Sequence, residues 1–183
     1  MGKNLSLFIA LYQNTVNKIM QSLIKPDKGK SSAPCNKNRL TIYNFIEENP
    51  GVYFREVAAQ LKINKGTTEY HLKILETTGL ITNLQIKGYK RYFVNKPTFS
   101  NLDKIVLSMQ REDTPRKILI ILREKSGLSS MEVACIIGVS RPTIVWYMKA
   151  LTKYGIIESE NGIRTVKYRV SSEFLPVVQK YVD

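Results

Sequence analysis

Apolar residues near the start of this chain recur at alternating spacings of four and three, through Leu5, Ile9, Tyr12, Val16, Ile19 and Leu23. Phe8, Leu11 and Met20 widen the stripe, and the period predicts an amphipathic helix with a seam suited to a second helix. A lone helix of this length is marginal in water, so the seam needs cover. Either residues 1–24 are a dimerisation helix or they pack back on their own chain. Residues 25–38 (KPDKGKSSAPCNKN) then read as a linker, rich in Lys, Ser and Pro with nothing to bury. A helical pattern over 40–49 stops at Pro50 and Gly51, a short strand follows at 52–54, and a helix at 55–61 leads into a turn at 62–64. From Asn64 to Gly79 the stripe is Thr68, Leu72 and Leu75, with His71 beside it. Asn64 suits the cap of that helix, because its side chain takes up backbone N–H groups left unpaired in the first turn, and Gly79 suits a left-handed stop. Lys65, Gly66, Thr67, Glu69, Tyr70 and Lys73 are left pointing outward. Two strands, 80–86 and 90–95, are joined through Lys87, Gly88 and Tyr89 as a hairpin whose tip is basic, with Lys90 and Arg91 beside it.

This unit is repeated. Residues 39–94 overlay residues 115–170 without a gap at a shift of 76, with identities that include Gly51/Gly127, Glu56/Glu132, Thr67/Thr143, Lys73/Lys149, Leu75/Leu151, Gly79/Gly155 and Tyr92/Tyr168. The second copy has a helix from Pro115 through Lys125, a helix at 130–137, a turn at Gly138 and Val139, a helix from Arg141, and a hairpin from 156–161 and 164–170 turning at Gly162. Pro142 falls in a first turn, where its missing N–H costs nothing. Residues 98–111 read as a connecting helix, and Ser172 as the cap of a last helix over 173–182, which either covers the second unit or joins a dimer contact. The chain thus divides into an N-terminal helix (1–24), a linker (25–38), a first unit (39–97), a connecting helix (98–113), a second unit (114–171) and a C-terminal helix (172–183). The class is mostly α with small β-hairpins (α+β).

Charge changes the picture. Twenty-eight Lys and Arg against 15 Asp and Glu leave a net +13, and a pI of about 9.7 favours a polyanionic partner. No segment owns the excess, since residues 1–38 hold six cations and one acid, 39–97 nine and five, and 98–183 thirteen and nine. Cys35 and Cys135 form neither a metal-ligand spacing nor a disulfide framework, so a reducing cytoplasm is the default. Gln13, Asn14, Asn17, Lys18 and Gln21 interrupt the first apolar stretch well short of a membrane span, and no signal peptide is visible. One histidine, with no base-nucleophile set, phosphate-cradling loop or carboxylate pair, gives catalysis nothing to work with, and neither a cofactor nor a metal is expected.

Helix, turn, presented helix and basic hairpin make a winged helix-turn-helix. The stretch REVAAQLKINKGTTEYHLKILETTGLI, through Tyr70, His71, Leu72, Leu75, Gly79, Leu80 and Ile81, resembles the DNA-binding segment of archaeal and ArsR-like winged-helix transcription regulators. The resemblance implies tandem winged helices that lay a presented helix in the major groove of duplex DNA while the wing touches phosphate. In the first unit Lys65, Gly66, Thr67, Glu69, Tyr70 and Lys73 then face DNA, with Lys87, Lys90 and Arg91 on its backbone. In the second, Arg141, Thr143, Trp146 and Lys149 do so, with Arg164 and Lys167 on the wing. Val145 and Trp146 depart from that pattern and fit either thymine methyls or a protein partner. Two other classes stay open: an adaptor whose outward faces bind protein, and a single-strand binder stacking bases on Tyr70, Tyr89 and Trp146.

Overall fold

The computed structural model describes residues 14, 18, 33–97, 99–162 and 165–182, which belong to two compact units, Met1–Asn95 and Lys96–Asp183. The amphipathic seam expected over residues 3–24 lies outside the described residues.

In the first unit, α1 (Ala33–Glu48), β1 (Val52–Tyr53), α2 (Phe54–Gln60) and α3 (Lys65–Thr77) precede the strands β2 (Ile81–Ile86) and β3 (Tyr89–Val94). The three strands form one antiparallel sheet in the order β1-β3-β2, with Val52 opposite Tyr92 and Ile81 opposite Val94. The helices close over it through Ile42, Ile46, Val57, Leu72 and Leu75. Helix α1 starts at Ala33, inside the stretch expected to be linker. Pro34 falls in its first turn, where proline's fixed φ is helical and its missing N–H is not needed, and nothing in CNKN breaks a helix. Thr68 sits in the core because its hydroxyl donates to the Asn64 carbonyl at 3.0 Å.

His71 is more deeply placed than its position beside the stripe suggests, with none of its surface exposed. Burial first, and then the positive charge of Arg39, hold the imidazole below its ordinary value of 6.5. The fold therefore keeps His71 neutral while the unfolded chain takes up a proton below about pH 6.5. A depressed histidine contributes stability that is present above that pH and is lost as pH falls. Denaturant melts of the first unit from about pH 7.5 to about pH 5 should show stability declining with a limiting slope of about 1.4 kcal/mol per pH unit. His71→Leu should flatten that decline, and an unchanged slope in the variant would assign it to other groups.

The second unit begins with α4 (Asn101–Gln110), whose cap Ser100 accepts the Asp103 N–H at 3.1 Å. It continues with α5 (Asp113–Glu124), β4 (Leu128–Ser129), α6 (Ser130–Ile137), α7 (Arg141–Lys153), β5 (Ile157–Asn161), β6 (Val166–Val170) and α8 (Leu175–Tyr181). The sheet order is β4-β6-β5, the same as in the first unit. The repeat extends to the hydrogen bonds. Gly51 N–H donates to Tyr92 O at 2.8 Å and Gly127 N–H to Tyr168 O at 2.9 Å; Leu80 N–H reaches Leu75 O and Ile156 N–H reaches Leu151 O, both at 3.0 Å. Tyr53 N–H donates to the Glu56 carboxylate at 3.0 Å and Ser129 N–H to that of Glu132 at 2.7 Å. The glycines that release each presented helix into its hairpin, Gly79 and Gly155, have φ of 71° and 72°, a conformation that a side chain would strain.

Strand β4 was not expected, although the repeat aligns Leu128 and Ser129 with the short strand expected at 52–54. The last helix starts at Leu175 and not at 173. Ser172 lies in a turn, with the N–H groups of Phe174 and Leu175 donating to the Ser171 carbonyl, so Ser172 is not its cap. Helix α8 packs on α4 and α5, burying Phe174, Val178 and Val182, and Lys180 reaches Asp103 at 3.3 Å.

Candidate nucleic-acid interface

Helix α3 is presented because one side of it is committed to the core. Thr68, His71, Leu72 and Leu75 are buried, which turns Lys65, Gly66, Glu69, Tyr70 and Lys73 outward, with Thr67 half-buried. Its start is fixed by Asn64, whose Oδ1 accepts the Thr67 N–H at 2.8 Å. Tyr70 is 48% exposed and stands edge-on to the His71 ring at 5.2 Å.

The first hairpin turns through Lys87 and Gly88, both at positive φ (52° and 81°), while Tyr89 opposite Ile86 is already strand. Positive φ at both central residues marks the primed turn that matches strand twist. Lys87 is half-buried, Tyr89 exposed, and Lys90 exposed with its ammonium 4.0 Å from Glu76. Arg91 departs from the expected basic tip. It is 5% exposed, its Nη1 donates to the Gly51 carbonyl at 3.4 Å, and its guanidinium lies 5.0 Å over the Tyr53 ring. The cause is topological, since β3 is the central strand and Arg91 is paired with Tyr53 of β1.

Between α3 and β3 runs a groove of about 470 Å³ with Phe54, Leu72 and Tyr92 in its wall and Glu69, Lys73, Glu76 and Lys90 at its rim. Burial first, and then the charges of Glu76 and Glu69, push the Tyr92 hydroxyl up to about 12. The presented face of the first unit is therefore of mixed sign, because two glutamates share the helix with its two lysines.

In the second unit the same framework carries different side chains. Ser140 caps α7, its Oγ 2.8 Å from the Thr143 hydroxyl. Ile144, Met148 and Leu151 are buried, Tyr147 and Val145 half-buried, and Arg141, Lys149, Thr152 and Lys153 exposed. Trp146 is 56% exposed and meets the Tyr147 ring edge-on at 4.8 Å. Lys153 completes this face and was missed, because the repeat aligns it with Thr77; helical spacing from Trp146 was the signal that would have found it. The second wing holds its cations with its own acids. Lys167 is 3.0 Å from Glu132, and Arg169 is 3.0 Å from Glu158. Hydrogen bonds from the Ser129 hydroxyl and backbone, then the Lys167 ammonium, bring the Glu132 carboxyl down to about 2. Arg164 lies outside the described residues.

Comparison with known proteins agrees with this architecture. Residues 36–107 match a family described as an N-terminal HTH domain, and residues 111–158 match one described as winged helix-turn-helix DNA-binding. An uncharacterized HTH-type transcriptional regulator of Methanocaldococcus jannaschii is 30% identical over 134 residues, which is 73% of this chain and 33% of the relative. The chain thus spans about a third of the length of that relative. Among solved structures, the transcriptional repressor BigR from Xylella fastidiosa is similar at 22% identity over 41% of this chain and 76% of that one, with a TM-score of 0.37. HlyU from Vibrio cholerae is similar at 18% identity over 48% of this chain and 100% of its own, with a TM-score of 0.41. Two consecutive family matches over two copies of one hydrogen-bonding scheme show that the chain carries two winged helix-turn-helix domains in tandem.

Proposed function

We propose that the chain is a sequence-selective, double-stranded-DNA-binding transcription regulator, acting in the cytoplasm by binding and not by catalysis. The observation that supports this most is the capped helix α3, which presents Lys65, Tyr70 and Lys73 beside a tight hairpin with Lys90 at its end. A helix of this length fits a major groove, its lysines meet phosphates or base edges, and the hairpin follows the flanking backbone. Residues 1–24 pair two copies, so the two α3 helices enter successive grooves about 10 base pairs apart or a multiple of that.

Selection from a random duplex pool tests this directly. The expected product is an enriched duplex with two related half-sites, bound less tightly as salt rises. No enrichment, with single strands competing as well as duplex, would overturn the proposal in favour of base stacking on Tyr70 and Tyr89.

A further inference from the structure

The duplicated framework allows one presented helix to be compared with the other, position by position. Lys65, Tyr70 and Lys73 of α3 correspond to Arg141, Trp146 and Lys149 of α7, so the cations and the central aromatic are kept. The carboxylates are not. Glu69 becomes Val145, Glu76 becomes Thr152, and Thr77 becomes Lys153, so that α7 carries three cations and no acid where α3 carries two of each. The acid-free strands of the first unit are replaced by strands in which Glu158 pairs with Arg169 and Glu132 of α6 holds Lys167. The face of α7 is thus cationic where that of α3 is mixed, while the second wing holds Lys167 and Arg169 with acids as the first holds Lys90 beside Glu76 and buries Arg91. Among the described residues, Arg141, Lys149 and Lys153 make no ion pair.

An apolar side chain on such a surface has to be accounted for. The second unit exposes Met131 and Ile136 on α6, Trp146 on α7 and Val166 on β6. On α7, Val145 lies one helical turn from both Arg141 and Lys149, and Trp146 lies three residues from Lys149 and seven from Lys153. An acidic protein surface would answer the cations alone; DNA answers both features, supplying phosphates for the cations and, in the major groove, an apolar target in the 5-methyl group of thymine.

We propose that Val145 and Trp146 set the base preference of the second unit by contacting thymine methyls in the major groove, with Arg141, Lys149 and Lys153 on the flanking phosphates. This rests on the reading of the chain as a duplex-DNA binder. Thymine and uracil differ at that methyl alone, which isolates the contact from hydrogen bonding.

The experiment uses the full chain and the duplex enriched from the random pool, made once with thymine and once with deoxyuridine throughout. The wild-type chain is expected to bind the uracil duplex about fourfold more weakly per contacted methyl, the burial of one such group being about 0.8 kcal/mol at about 1.4 kcal/mol per tenfold. Trp146→Ala and Val145→Ala should each reduce the difference in part, and the double variant should bind the two duplexes alike, with the salt dependence of the wild type. Equal wild-type affinity for the two duplexes overturns the proposal and leaves the duplex-binding reading standing. A thymine preference that survives both substitutions overturns it as well and returns Val145 and Trp146 to the role of a protein contact. Failure of the pool to yield any bound duplex removes both readings together.

Discussion

Leu75→Ala is expected to destabilise the first unit by about 3 kcal/mol, and Leu151→Ala the second by a similar amount, within the range of roughly 2 to 5 found when a fully buried leucine is truncated. Each side chain has no exposed surface and occupies the same place in its repeat, on the inner face of a presented helix. The cost combines lost burial with a cavity that the surrounding side chains only partly close. Because Leu75 belongs to a core of Ile42, Ile46, Val57 and Leu72, the loss should be local. Amide hydrogen exchange should show protection falling in residues 42–94 for Leu75→Ala and in residues 118–170 for Leu151→Ala. Equal loss of protection throughout the chain in either variant would mean that the two repeats do not stand on separate cores. The result bears on function, since each leucine anchors the helix whose opposite face is proposed to meet DNA.

How far the sequence discloses this arrangement depends on which interactions are local. The limits of α3 and α7 are readable because they are set within a few residues: Asn64 and Ser140 accept from Thr67 and Thr143, and Gly79 and Gly155 take the left-handed stop. The repeat is equally readable, and it contains β4, since Val52 and Tyr53 align with Leu128 and Ser129. Composition misleads at Ala33, where Ser, Pro and Lys suggest a linker although nothing between 34 and 40 prevents a helix. What cannot be read locally is the fate of charges on the hairpins. Arg91 looks like Lys90 in sequence, and only the pairing of β3 with a strand forty residues earlier, with Gly51 as acceptor, takes it out of solvent. Lys167 is likewise engaged across thirty-five residues by Glu132. Of the cations expected on the interface, those on helices keep the exposure that periodicity assigns; on the central strands Lys90 keeps it, whereas Arg91 is buried and Lys167 is held by Glu132.

That distinction yields an expected result for DNA binding. Replacing Lys65, Lys73 and Lys90 together by alanine should weaken binding of the enriched duplex by roughly 10²–10³ and lower the slope of log affinity against log salt by roughly 2 to 3, since each phosphate contact contributes about 0.9. The 4.0 Å approach of Lys90 to Glu76 does not prevent this, because an exposed pair of that kind is worth about 1 kcal/mol at most and the ammonium can turn toward a phosphate. Arg91→Ala should behave differently. Loss of its contacts with Tyr53 and Gly51 should lower the stability of the first unit by about 1–2 kcal/mol, while the salt slope, measured where the variant remains folded, stays that of the wild type. A shallower slope for Arg91→Ala would show that the arginine leaves its buried seat to meet DNA, and the unchanged slope of the triple lysine variant would remove α3 from the interface. The two substitutions therefore separate a cation that binds the partner from one that holds the hairpin in place to do so.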